Sequence, residues 1–362
     1  MSLFNKSKGL IGLDIGSSSI KLVGLKPSKV GYELVNFRMA PLPPDVIVDG
    51  VIIDSSVVAD SIREIIAQEN IKTKDVVTSI SGNSVIVKKI KLPMMSEQEL
   101  EESIQWEAEQ YIPFDINDVN LDVQILDLNE SESEMGQMDV ILVAAKKDLI
   151  NEHISVLIEA GLKPQIVDVD VFAIENMFQT CYAGYEDEVV ALVNIGANSI
   201  NVNVLEKGVT AFTRDISIGG SQFTEEIQKQ LNVSFDEAEA LKLGGDLGSP
   251  METTEAVIPQ EVGGIIRSVS EGIASEIQRS LDFYVAASAV GKVGKVFLMG
   301  GSSKVPGLNN IIESKVGIPV EIANPFQGLQ IDDSKFNVAQ LNEVAPAAAV
   351  AVGLATRRVD DR

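Results

Sequence analysis

Residues 10–25, LIGLDIGSSSIKLVGL, and residues 190–205, VALVNIGANSINVNVL, are one short design written twice, about half a chain apart. Placing Asp14 over Asn194 aligns Ile15 with Ile195, Gly16 with Gly196, Ser19 with Ser199, Ile20 with Ile200 and Leu25 with Leu205. Each copy reads as an apolar strand, a tight turn of small residues and a second apolar strand. Successive backbone N–H groups in such a turn lack ladder partners and form a nest for an anion. Gly16 permits close approach, Ser17, Ser18 and Ser19 add hydroxyls, and Lys21 adds a positive charge for phosphate oxygens. Asp14, just before the bend, suits a Mg²⁺ ion that keeps most of its waters. One copy alone is equally an ordinary hairpin, with glycine for geometry and serine for solubility. Two copies on two halves imply a cleft whose walls grip a polyphosphate from opposite sides.

The rest of the composition narrows the choice. A chain of 362 residues predicts about two domains, and 45% hydrophobic with 23% charged residues is ordinary for a globular protein. The net charge of −24 repels nucleic acid, and the best basic patch, Lys88, Lys89 and Lys91, is small and sits on an expected strand. Cys181 is the sole cysteine and His153 the sole histidine, which excludes a disulfide framework, zinc sites of the His/Cys type and two-imidazole catalysis. Both read as plain buried or helical residues. No apolar run approaches the ~18 residues of a membrane span, the start lacks a signal-peptide core, and the end, TRRVDDR, has no apolar face. The expectation is a cytoplasmic protein that reaches a membrane only through a partner.

Between the two copies the texture changes. From about Ser84 the pattern is strand, helix, strand, strand, helix and a strand near 164–169, an α+β insertion. Its first helix opens with Ser96 and Glu99 in capping-box spacing. An acidic loop is expected at 129–137, a helix at 168–182 and a glycine-rich loop at 244–250. Two helices near 221–243, a long one over 260–289 and a last one through VAPAAAVAVGLATRR complete the reading. FLMGGSSKVPGL, from Phe297, is a strand ending in Gly300-Gly301, where backbone passes against a flat ring or a phosphate.

This succession resembles the actin, heat-shock chaperone and sugar-kinase ATPase superfamily over nearly the whole chain. The resemblance implies an α/β, duplicated actin-like (ribonuclease H-like) ATPase fold with two lobes around a nucleotide cleft, and ATP or ADP with Mg²⁺ as cofactors. It implies that Asp14, Gly16, Ser17, Ser18, Ser19 and Lys21 form the first phosphate motif and Asn194, Gly196, Ala197 and Asn198 the second. Gly300, Gly301, Ser302 and Lys304 match the adenosine motif; Glu239 and Lys242, in EAEALK, match the pair lent to ribose and adenine, although a solvated i,i+3 charge pair is the plain alternative. Asp14 is the metal-facing residue, through water.

The place of the insertion resembles the branch holding the cell-division protein FtsA and the PilM family of type IV pilus assembly, and QWEAEQYIPFDINDVNLDVQIL is similar to the latter. That resemblance implies core subdomain 1A at 1–84 and 166–187 with helix 343–358 packed back on it. It further implies inserted subdomain 1C at 85–165, core subdomain 2A at 188–221 and 285–342, and subdomain 2B at 222–284. It implies a partner, the cytoplasmic tail of the inner-membrane protein PilN, held between core and insertion, besides other platform and motor components of the pilus machinery. Trp106, Tyr111, Ile112, Pro113 and Phe114 are the groove candidates, with subdomain packing as the alternative. The family pattern has Asp where this chain has Asn194. Asn keeps the shape but gives up the charge, so nucleotide binding with slow or absent hydrolysis is expected; Asp168 and Asp170 are the weak catalytic candidates. An FtsA-like filament former and a small-molecule kinase remain as other readings.

Overall fold

The computed structural model describes residues 10–48, 50–126, 136–244, 260–288 and 291–359. Parts of the expected acidic and glycine-rich loops, 129–135 and 245–250, lie outside these residues, as do both extreme ends of the chain. The first half contains β1 (Ile11–Ile15), β2 (Ser19–Ser28), β3 (Gly31–Pro41), β4 (Ile47–Val48), β5 (Val51–Ile52), α1 (Ser55–Gln68) and β6 (Asp75–Ile80). The insertion follows with β7 (Val85–Pro93), α2 (Glu97–Ala108), β8 (Val119–Ile125), β9 (Gln137–Lys146) and α3 (Lys147–Glu159). Then come β10 (Lys163–Val169), α4 (Asp170–Cys181), β11 (Val189–Ile195), β12 (Ile200–Glu206), β13 (Val209–Ile216), α5 (Ser221–Leu231), α6 (Phe235–Lys242) and α7 (Gln260–Ala287). The chain finishes with β14 (Lys295–Met299), α8 (Leu308–Val316), β15 (Val320–Ile322), β16 (Leu329–Gln330), α9 (Val338–Val344) and α10 (Ala349–Thr356).

The duplication is visible in the topology. One sheet has the order β10-β6-β1-β2-β3-β16 and another β15-β14-β11-β12-β13. In each, a three-stranded antiparallel meander is extended from its first strand by two parallel strands. Even an irregularity is copied: the ladder slips between Gly24 and Leu25 in one meander and between Val204 and Leu205, the aligned positions, in the other. A β-bulge re-aims a strand, so two copies at one register give the two meanders the same local change of twist.

Alternation along β1 assigns its two faces. Ile11 and Leu13 pack with Val58, Ile62 and Ile65 of α1, whereas Leu10 and the β6 residue Val77 meet Ala173 and Met177 of α4 and the small residues of α10. With helices on both sides, β6 is buried throughout its run from Val76 to Ile80. Ser96 and Glu99 form the expected capping box, and Ser234 and Glu237 build a second one at α6. The inserted sheet, β7-β9-β8, has its own core of Ile90, Leu100, Ile104, Met138, Val140 and Leu142. Helix α3 turns away from it: Val156 and Leu157 join α1 beneath the first sheet. His153 on α3 is buried with Nδ1 3.1 Å from the Leu149 carbonyl, and desolvation holds its pKa below the ordinary imidazole value. Cys181 is buried, its thiol donating to the Pro325 carbonyl at 3.0 Å.

The single last helix expected over 344–358 is broken. Residues Ala345–Ala348 form a tighter 3₁₀ turn between α9 and α10, because Pro346 has no N–H and disfavours helical geometry in the residue before it. The break leaves the Pro346 carbonyl to accept the Gly300 N–H at 2.8 Å. The stretch Val338–Thr356 is long and apolar enough by composition to cross a membrane, yet α10 is buried in the core from Ala349 to Ala355.

Helix α4 bridges the halves. Glu175 accepts from Thr210 Oγ1 of β13 at 2.5 Å and from Gln179 Nε2 at 3.1 Å, and Gln179 also donates to the Gly208 carbonyl. Burial is the main cause that pushes the Glu175 carboxyl up from 4.5 to about 7, against the Thr210 bond and with Asp168 adding to the rise. The folded state thus holds this proton more tightly than the unfolded one. Its contribution is fully present below about pH 4.5 and is lost as pH rises through about 7. Glu175→Gln keeps an acceptor for Thr210 and removes the titration. Urea unfolding at pH 5 and pH 8 is expected to show the variant gaining on the order of 2 kcal/mol on the parent between the two, allowing for partial exposure.

Candidate functional site

A cavity of about 650 Å³ lies between the two sheets, within the usual range for a bound small molecule. The β1–β2 turn forms one wall and the β11–β12 turn the other, and the two are built alike. The Gly16 N–H donates to the Ser19 carbonyl at 3.1 Å, and the Gly196 N–H to the Ser199 carbonyl at 2.9 Å. Each turn thereby closes on its own backbone and presents its remaining small residues to the opening. The second turn is braced: Ser302 Oγ donates to the Gly196 carbonyl at 2.9 Å, and Ser221 Oγ donates to Asn198 Oδ1 at 2.6 Å. Gly300 has φ of +85°, and a Cβ there would lie 2.4 Å from the Ile195 carbonyl oxygen, so only glycine fits.

Charge is concentrated on the first-lobe side. Asp14 and Lys21 face each other across the β1–β2 ladder with an ion-pair distance of 3.2 Å, both side chains mostly buried. Asp170 opens α4 in the same cavity and accepts from Ser79 Oγ at 2.5 Å. Asp215, near the end of β13, accepts from Asn201 Nδ2 at 2.8 Å and from the Gly82 N–H at 3.0 Å. All three carboxyls are held above the usual carboxylate range, in each case first by desolvation. Lys21 opposes the rise at Asp14, and the mutual repulsion of Asp14 and Asp170 adds to it. Asp14, Asp170, Asp215 and Lys21 line the same cavity. Among the described residues no three side chains converge closely enough to hold a bare ion, so a cation here would complete its shell with water or ligand oxygens.

The cavity brings together Asp14, Gly16, Ser17, Ser18, Ser19, Lys21, Asn194, Gly196, Ala197, Asn198, Glu239, Lys242, Gly300, Gly301 and Ser302. Glu239 and Lys242 are linked to each other and to Thr224 Oγ1, with Lys242 and Thr224 buried and Glu239 partly exposed. Lys304 stands apart, because its ammonium donates to the Glu343 carbonyl. Of the two catalytic candidates Asp170 is inside. Asp168 is not: it lies near the end of β10 and pairs with Arg357 Nε at 3.2 Å, fastening the segment after α10 to the first sheet. Sequence reading missed Asn201, Asp215 and the 81–83 turn. On β13 Asp215 precedes the buried Ile216, so alternation turns it to the face away from that core.

A second groove, about 740 Å³, runs between the unpaired edges of β7 in the insertion and β13 in the second sheet. It is lined by Val169 and Val171, by Tyr284 of α7 and Ser288 just after that helix, and by Lys88, Lys89, Lys91 and Arg214. The two strands touch where Thr213 Oγ1 donates to the Val87 carbonyl at 3.1 Å. The residues expected to make a groove are elsewhere. Ile112 is buried in the insertion's core with Tyr111 and Phe114 packed against it, Lys146 sits 4.6 Å from the Phe114 ring centroid, Pro113 is exposed, and Trp106 is 77% exposed on α2. Tyr111, Ile112 and Phe114 extend the insertion's own core, which is the packing alternative.

Comparison with known proteins adds the family. A family model described as type IV pilus assembly protein PilM matches residues 12–359. A solved structure described as a PilM-PilN type IV pilus biogenesis complex is similar over 98% of this chain and 99% of that one, with 31% identity and a TM-score of 0.85. The cell division protein FtsA of Streptococcus pneumoniae is 23% identical over 87% of this chain and 75% of its own length. MreB5 of Spiroplasma citri, solved bound to ADP, shares the fold at a TM-score of 0.50 and 12% identity, covering 95% of this chain and 94% of that one. The fold is thus the actin-like one.

Proposed function

The chain belongs to the PilM family of type IV pilus assembly proteins, and from that premise we propose that it is a nucleotide-binding, actin-like scaffold that holds the cytoplasmic tail of PilN. One observation carries the nucleotide part. Two matched phosphate turns, the Glu239–Lys242 cluster and the Gly300–Ser302 turn, separate in sequence, line one cavity between the lobes. Lys21 and the turn N–H groups would take phosphate oxygens, and Asp14 would hold Mg²⁺ through water; the ion, when bound, supplies positive charge to the phosphates. Glu239 and Lys242 would meet the ribose and base. Asn194 spends its amide N–H on Asn201 Oδ1 at 3.0 Å and brings no charge to the second turn. Hydrolysis is accordingly slow or absent, with Asp170 the remaining carboxylate near the phosphate end. Single-turnover measurement with Mg²⁺ and ATP tests this: brisk cleavage abolished by Asp14→Asn would overturn it.

The partner part rests on the groove between β7 and β13. Two free strand edges offer backbone hydrogen bonds to an extended segment, the mode of β-strand addition. PilN is the partner named in the similar complex. The protein would work in the cytoplasm, at the inner membrane through that partner. Pull-down and titration with the PilN tail peptide test the placement. Ala211→Arg, which intrudes on the groove from β13, is expected to lower affinity at least tenfold, while Trp106→Ala changes it less than twofold. The reverse ranking would return the site to the 106–114 stretch.

A further inference from the structure

The two turns of the cleft are held in different ways. In the first, Asp14 and Lys21 face each other across the β1–β2 ladder as an ion pair. The same register of the β11–β12 ladder sets Asn194 opposite Asn201, and an amide hydrogen bond of 3.0 Å stands in the place of the ion pair. The second turn brings no charged side chain to the cleft, so what it offers an anion is backbone N–H. We propose that Ser302, together with the Gly219–Ser221 segment, is a positioning residue that aims those N–H groups at the phosphates; the proposal rests on the nucleotide reading of the cleft given above.

A trans peptide points its C=O and its N–H in opposite directions, so fixing one fixes the other. The Gly196 carbonyl accepts twice, from the Gly220 N–H and from Ser302 Oγ, both at 2.9 Å. The Ala197 carbonyl accepts from the Ser221 N–H at 2.8 Å. With the two carbonyls held, the N–H groups of the same peptide planes, those of Ala197 and Asn198, point the other way. Neither N–H has an acceptor among the described residues, and both residues line the cleft. Without the brace these peptides are free to rotate, that of Gly196 most readily. A flipped peptide sets a carbonyl oxygen against the phosphates in place of a donor.

The surrounding chain is cut to fit this brace. A Cβ on Gly219 would lie 2.4 Å from the Ala197 carbonyl oxygen and 2.7 Å from that of Gly196, and a Cβ on Gly220 would lie 2.0 Å from Ser302 Oγ. Neither glycine has a positive φ, so it is close approach that requires them. Ser302 belongs to the stretch matched to the adenosine motif, yet its single O–H is committed to the Gly196 carbonyl. The first turn has no counterpart. Among the described residues no donor meets the Gly16 or Ser17 carbonyl, and only that of Ser18 is held from outside, by the Leu42 N–H at 2.9 Å. There Lys21 attracts by charge; in the second turn attraction depends on the aim of two N–H groups.

The test separates phosphate from nucleoside. AMPPNP with Mg²⁺, tripolyphosphate with Mg²⁺ and adenosine are titrated on the full chain, the last two by competition with a fluorescent ATP analogue, for the parent, Ser302→Ala and Ser221→Ala. Ser302→Ala is expected to weaken AMPPNP and tripolyphosphate by the same factor, about tenfold, and to leave adenosine within about twofold of the parent. Ser221→Ala keeps its backbone N–H and loses only the side-chain bond to Asn198 Oδ1, and the same pattern is expected at about threefold. Thermal unfolding identifies a variant that has lost its fold, and the other then carries the test. Loss of AMPPNP and adenosine affinity with tripolyphosphate unchanged makes Ser302 a contact of the nucleoside and overturns the proposal. An equal loss for all three ligands marks a merely structural role and overturns it too, as does a Ser302→Ala chain that binds all three like the parent. A parent that binds neither AMPPNP nor tripolyphosphate overturns the nucleotide reading and the positioning role with it.

Discussion

Gly353→Ala is expected to destabilise the protein by about 3 kcal/mol, a fall of roughly 4 °C in unfolding temperature for a chain of this size. A Cβ at Gly353 would lie 1.7 Å from the Ala173 carbonyl oxygen and 2.5 Å from its carbon. Both are backbone atoms of α4, so no side chain can swing aside. Helix α10 cannot retreat either, because on its other flank the Ala351 carbonyl lies 2.4 Å from where a Cβ on Gly12 of β1 would stand. The helix is a thin wedge between two elements that carry site residues, Asp14 on β1 and Asp170 on α4. The variant should therefore lose nucleotide affinity as well as stability. Gly272→Ala on the exposed face of α7 is the matched contrast: nothing lies within 4 Å of its Cβ, and it should be neutral or stabilising by up to about 1 kcal/mol. Equal unfolding temperatures for Gly353→Ala and the parent would show that the wedge can slide and that the close packing is dispensable.

Lys21→Ala is expected to lower nucleotide affinity about 100-fold, measured by titration of a fluorescent ATP analogue in Mg²⁺. Lys21 is the cation that the cavity sets against Asp14, Asp170 and Asp215, and its ammonium is largely buried beside the first phosphate turn. Removing it takes a charge-assisted contact from the phosphates and leaves the Asp14 carboxyl without its partner. Desolvation already holds that carboxyl above its ordinary range, so losing Lys21 raises it further. The raised folded-state pKa has a definite sign. Stability is full below the ordinary carboxylate pKa and falls as pH rises through the folded value, so the variant loses more stability toward neutral pH than the parent. A loss of affinity under threefold would mean that the phosphates lie elsewhere.

Much of this site is legible in the chain because a turn of small residues is a local device. Gly16, Gly196 and their serines form their hydrogen bonds within four residues, so the repeat in sequence is the repeat in space. The Gly300 turn is local in the same way. The errors fall where distance along the chain matters. Asp168 and Asp170 are equivalent in sequence. Alternation at the end of β10 points Asp168 at Arg357, about half the chain away, while the start of α4 turns Asp170 into the cleft. Lys304 sits in the right motif, but the 3₁₀ turn after Gly300 delivers its ammonium to the Glu343 carbonyl. The YIPF stretch was conspicuous for its aromatic and apolar content, and that content was needed for the insertion's own core.

By itself the sequence determined the duplicated α/β architecture and the two small-residue turns, since hydrophobic alternation and turn chemistry act over a few residues and were written twice. It also carried the Asp-to-Asn difference between the copies. Only the tertiary structure decided what that difference means. Asn194 is tied through Asn201 to a carboxylate on β13, and the same carboxylate meets a backbone N–H from the other lobe. The groove between β7 and β13 likewise exists only because an edge of the insertion and an edge of the second sheet are folded against each other. Contacts of that kind depend on how two separately patterned units dock, and no local pattern in either unit encodes the docking.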